Sequence, residues 1–302
     1  MKTTIFNLMT VLSLLALISI NTGCEKTDEE EQIPVVTTQN NSPANPAQNA
    51  VTVAKEDATN DAVFSDVFRQ VDDAARSSDE SLESGNKSIS TNGCAVVTIT
   101  PFDLITWPKT ITIDFGDVNC LCNDGVYRRG VITAVTTDWY RNDGCVITVT
   151  CDDYHVNDFK VEGTKIITNN GRNSDNNLNY TVEVQNGLVT APDGTSSTWN
   201  SLRNHEWING EDTYLIVTDD EYSITGGANG ITSTNTSYTI TITDTLNVLI
   251  GCPYIRSGML DINIPNLETI VVDYGDGTCD AQATATCYGY TFPFTAGYCA
   301  EM

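Results

Sequence analysis

The chain has 302 residues, 40% of them apolar and only 18% charged, with 15 basic against 40 acidic side chains and a formal net charge of −25. A surface this acidic repels phosphate backbones and anionic lipid headgroups alike, which argues against nucleic acid as a partner and favours solubility, cation binding or basic partners. The low charge content, made up by Thr, Asn, Ser and Gly, is the composition of an antiparallel sheet with a wet face, and the length allows one sizeable β domain.

Lys2 is followed by an apolar run from Ile5 to Ile20, broken by Asn7, Thr10, Ser13 and Ser19, and then by Asn21-Thr22-Gly23-Cys24. The run is too short and too polar for a span of about 20 apolar residues, and small Gly23 suits a peptidase cutting before Cys24, so residues 1–23 read as a secretion signal. The pattern resembles the bacterial lipobox, although Asn21 stands where that motif favours Leu. The resemblance implies that Cys24 carries diacylglycerol and that the chain is held on a membrane through its N-terminal lipid. Glu25-Lys26-Thr27-Asp28-Glu29-Glu30-Glu31 resembles the signal that sends Bacteroidetes-type lipoproteins to the outer face of the outer membrane. The other reading of these acids is a solvated charge run.

Residues 24–58 are this acidic stretch and a Pro/Asn-rich segment containing Ser42-Pro43-Ala44-Asn45-Pro46, expected to be a loose tether. Val63, Phe64, Val67, Phe68, Val71, Ala74 and Ala75 then repeat at helical spacing. They predict one amphipathic helix over 59–77, capped by Thr59 or Asn60 and packed on the β domain. Residues 78–93 return to polar linker.

From Cys94 the period becomes two. Ile111, Ile113 and Phe115, then Tyr180, Val182 and Val184, then Tyr238, Ile240 and Ile242 each alternate with polar neighbours. Gly-containing turn signals such as Asn142-Asp143-Gly144, Asn186-Gly187 and Pro192-Asp193-Gly194 divide the runs. The expectation for 94–302 is an all-β antiparallel meander of roughly twelve strands, as a sandwich, a barrel or a sheet curved around the helix.

Two stretches within it look like copies, in the units 94–136 and 252–292. Cys94 leads through TITIDFGDVNC to Cys120, and Cys252 through TIVVDYGDGTC to Cys279. We read a duplicated β unit closed in each copy by a disulfide. Five further cysteines remain, Cys122, Cys145, Cys151, Cys287 and Cys299. With His155 and His205 the only histidines and no C-x-x-C pair, neither a zinc site nor any cofactor is called for.

Trp199, Arg203, His205 and Trp207 fall on one face of an extended segment. They form either a ligand platform, with rings for apolar sugar faces and donors for hydroxyls, or an interior ladder with Arg stacked on Trp. The stretch from Tyr127 to Tyr140, with Arg128, Arg129 and Trp139, admits the same two readings. Asp273, Asp276 and Asp280 lie around a Gly turn and are calcium candidates, or simply the residues such a turn needs. Their segment resembles the D-x-G-D-G signature of polycystic kidney disease domains, but the strand pattern that follows it there is missing, so nothing is carried over. No G-x-S-x-G, H-E-x-x-H, Walker or Rossmann pattern is present.

From signal to last strand the chain resembles the β-rich surface lipoproteins of the Bacteroidetes type, which implies a place on the outer membrane rather than an activity. The function expected first is a non-catalytic binding or adhesive module for a glycan or a protein. A carrier of an apolar ligand in a curved sheet and a secreted hydrolase are the alternatives.

Overall fold

A computed structural model of the protein describes residues 46–85, 89–91, 93–213 and 216–297. One long helix, α1 (Pro46–Ser84), comes first. Strands follow in the order β1 (Ile89–Thr91), β2 (Ala95–Thr100), β3 (Lys109–Asp114), β4 (Cys120–Leu121), β5 (Tyr127–Thr136), β6 (Val146–Val156), β7 (Phe159–Arg172) and β8 (Leu178–Thr190). The rest are β9 (Ser196–Asn209), β10 (Glu221–Ile231), β11 (Ser237–Leu249), β12 (Ile255–Asn263), β13 (Ile270–Asp276), β14 (Gln282–Cys287) and β15 (Tyr290–Thr295). All pairings are antiparallel, and fourteen strands lie side by side in chain order while β4 pairs with β5. The fold is the expected all-β meander with one helix, in the version that curves around it.

Why the sheet curls can be read from its register. Every neighbouring pair from β5–β6 to β12–β13 carries a shift, whereas the pairs outside that range carry none. An extra residue on one strand bends it and increases its twist, so eight successive shifted pairs roll the sheet. Gly130, at φ +85°, sits at the first of them, where a Cβ would come within 2.1 Å of the Asp153 carbonyl oxygen. No other residue fits there.

The helix runs well beyond 59–77. Its first part takes residues 46–58 from the expected tether, its last turns take 78–84 from the expected linker, and Gly85 at φ +71° ends it in a left-handed cap. Thr59 and Asn60 are therefore not caps. Thr59 Oγ1 donates to the carbonyls of Lys55 and Gly297, and Asn60 Oδ1 accepts from Ser197 Oγ. Residues 57–78 have no exposed member, because strands from both ends of the sheet reach the helix. Phe64 and Phe68 bury their rings against the inner face, and each such burial is worth about 1.5–3 kcal/mol. Among the described residues no helix is long and apolar enough to cross a membrane.

Both predicted disulfides are present, Cys94–Cys120 and Cys252–Cys279. The repeated turns also match: Asp114 Oδ1 accepts from Gly116 N and Asp273 Oδ1 from Gly275 N, each at 2.8 Å, with Phe115 and Tyr274 buried between. Cys122, Cys145, Cys151 and Cys287 are free. Cys24 and Cys299 lie outside the described residues.

Candidate functional site

Trp199, Arg203, His205 and Trp207 do share one face of β9, and it is the inner one. All four are buried under the helix. Phe64 stacks on Trp199 at 5.4 Å, Trp199 Nε1 donates to Asp57 Oδ1 at 2.9 Å, and Arg203 pairs with Asp61 while lying 5.2 Å over Trp199. His205 packs 5.2 Å from Phe68, and Arg76 lies 4.5 Å over Trp207. This is the interior ladder, with no ring left for a sugar. His205 is held neutral, since burial drives its pKa far below the usual histidine value and Lys165 and Arg203 add to that.

The same arrangement recurs along the helix. Asp66 accepts from Arg128 Nε at 3.1 Å and from Tyr154 at 2.6 Å; burial opposes its charge, but the Arg128 guanidinium outweighs burial and holds the carboxyl low. Asp72 takes Tyr140 and Arg76, and Arg76 Nη1 reaches Asp220 at 2.6 Å. Lys165 Nζ donates to the Phe64 carbonyl at 2.7 Å, and burial pulls its pKa down to about 7. Burial pushes Asp57 up to about 6 and Asp220 up to about 7. Asp57, Asp61, Asp66, Asp72 and Arg76 of the helix thus each meet a partner on a strand or a rim connection, an arrangement that fixes how the helix sits rather than one that exposes chemistry.

Antiparallel succession puts alternate connections on opposite rims. Connections 137–145 and 210–220 surround the C-terminal half of the helix, since Tyr140 reaches Asp72 and Asp220 reaches Arg76. Turn 232–236 lies at the N-terminal half, where Ser233 Oγ donates to Glu56. The C-terminal rim carries the outward chemistry. There a cleft of ≈ 370 Å³ is lined by half-buried Trp139 with Tyr140, Arg141 and Asn142 on one side, and by Arg76, Asp79, Glu80 and Glu83 of the helix on the other. Arg141 lies 4.7 Å over Trp207. Burial lifts the Asp79 carboxyl to about 7, Glu83 and Asp138 adding to it, although the Tyr140 N–H at 3.4 Å works the other way. Half-buried Trp107 meets Trp139 edge-on at 5.4 Å. A ring, a guanidinium, an amide and carboxylates around one opening can hold a polyhydroxylated ligand.

The calcium candidates are not brought together. Asp273, Asp276 and Asp280 each turn one oxygen back on the backbone N–H two residues ahead. Among the described residues no three His, Cys, Asp or Glu side chains converge as a metal site would require. Trp107 and the loop before it went unnoticed in the sequence, although an apolar run, Phe102-Asp103-Leu104-Ile105-Thr106-Trp107, between Pro101 and Pro108 was the available signal. Compared with protein-family models, with curated proteins and with solved structures, the chain matches none of them.

Proposed function

We propose that the chain is a lipid-anchored, non-catalytic surface module of the outer membrane that binds a glycan at the C-terminal rim. The observation that carries this reading is the Trp139 cleft: a half-buried indole beside Arg141, Asn142, Asp79, Glu80 and Glu83. Sugar rings stack on indoles, and hydroxyls take planar amide, guanidinium and carboxylate partners. The trough itself is filled by the helix. A cavity of ≈ 40 Å³ between Ala58, Ala62 and Ser65 and the far strands has room for about three waters, which leaves the carrier reading little space.

Titration of the mature chain with neutral oligosaccharides, followed by calorimetry and indole fluorescence, tests the ligand. Trp139→Ala should weaken binding at least tenfold, while Thr148→Ala on the outer face of β6 should leave it unchanged. Binding indifferent to Trp139 would refute the site. Palmitate labelling of the wild type and of Cys24→Ala tests the anchor, and equal labelling of the two would refute it.

A further inference from the structure

Between β2 and β3 the loop 101–108 stands on the same rim as Trp139, and its tip is apolar: Leu104 is 50% and Ile105 86% exposed. Exposed aliphatics on a floppy loop would mean little, but this loop is braced from within. Lys109 is 1% exposed, and its Nζ donates to the carbonyls of Pro101 at 3.3 Å, Asp103 at 2.5 Å and Thr106 at 3.0 Å. Asp103 Oδ1 accepts from the N–H groups of Ile105 at 2.9 Å and Thr106 at 2.6 Å. Pro101 and Pro108 carry no N–H to satisfy. The Lys109 ammonium in turn lies 4.8 Å over the Trp107 ring.

We propose that this loop is a membrane-docking tip that inserts Leu104 and Ile105 into a neutral bilayer facing the cell, with Trp107 and Trp139 at headgroup depth. Three features favour a bilayer over a protein. A backbone entering hydrocarbon must have its polar groups paired internally, and Lys109 and Asp103 pair five of those in this short loop. Aliphatic residues lead and indoles follow, which is the depth order of a bilayer interface. Two aliphatic side chains are also far less than the roughly 800 Å² a protein partner usually covers on each side. The acidic residues nearby, Asp79, Glu80, Glu83 and Asp138, repel anionic headgroups and so select neutral lipid. The 39-residue helix runs about 58 Å toward this rim, so the tip lies at the end of the body away from the helix's N-terminus.

The choice of bilayer rests on the anchored reading above, and two experiments separate the claims. In the first, the unlipidated Cys24→Ala chain is mixed with phosphatidylcholine vesicles and with phosphatidylglycerol vesicles. Partitioning into the former, with a blue shift of indole emission, is expected. Ile105→Asp should lower it at least tenfold, as should Leu104→Asp. No partitioning, partitioning indifferent to both changes, or preference for the anionic vesicles would overturn the tip. Circular dichroism verifies that the variants fold, as the exposure of Ile105 leads us to expect. In the second, lipidated chain held in one population of phosphatidylcholine vesicles is offered a second population. Bridging that Ile105→Asp abolishes supports the facing bilayer, whereas insertion into the same vesicle without bridging overturns it. Because neither vesicle carries sugar, failure of the glycan reading leaves both results intact.

Discussion

Asp57 offers a quantitative test of how the helix is held. It is 1% exposed and takes a hydrogen bond from Trp199 Nε1, with Arg203 attracting and Asp61 repelling its charge. Burial prevails, and the carboxyl moves from 3.8 to about 6. A group with a raised folded pKa contributes stability that is complete below its unfolded pKa and lost as pH climbs through the folded one. Ionising Asp57 therefore costs the folded state about 3 kcal/mol by pH 8 and under about 1 kcal/mol at pH 4. Asp57→Asn keeps the acceptor for Trp199 and removes the charge. Urea denaturation at the two pH values should show the variant nearly equal to wild type at pH 4 and about 3 kcal/mol more stable at pH 8, or about 6–12 °C higher in Tm. A gap of the same size at both pH values, or a variant less stable at pH 8, would show that the charge is not penalised by burial.

Two further substitutions probe the same framework. Asp66→Ala leaves the Arg128 guanidinium buried without its inner partner and should cost about 3–5 kcal/mol in urea denaturation, of which Asp66→Leu with Arg128→Met should recover a large part; equal losses would mean the pair is not the cause. Cys252→Ser with Cys279→Ser opens a loop of 27 residues and should cost about 3.5 kcal/mol, a gap that a reductant able to reach the wild-type bond closes; a loss below about 1 kcal/mol would refute the loop-entropy account.

Much of this was legible in the residues, and each failure has a physical cause. Alternation fixed which residues of β9 lie together, since Trp199, Arg203, His205 and Trp207 do share a face. It could not say which face was inner, because here the inner face bears the polar Arg203 and His205 while Leu202 points outward at 60% exposure. The helix ends have a different cause. Over 46–58 the buried Ala50, Val53, Ala54 and Ala58 keep helical spacing but are mostly small and sit in a Pro/Asn-rich composition, while over 78–84 Leu82 is accompanied by buried Ser78 and Ser81. Disulfide pairing was readable because the duplicated Asp-aromatic-Gly-Asp turn gave the alignment. Among the described residues there are fifteen strands rather than roughly twelve because short ones such as β1 and β4 carry too few residues to show a period.

The enclosed helix also imposes an order on assembly. It leaves the ribosome before any strand that surrounds it, yet Thr59 bonds to Gly297, 238 positions later. Its polar side chains keep their water until the sheet has rolled over them, so the mandrel must wait for the cloth. Such distant closure makes for slow folding. It also means that a chain cut short before β14 would leave the spindle wet along one side.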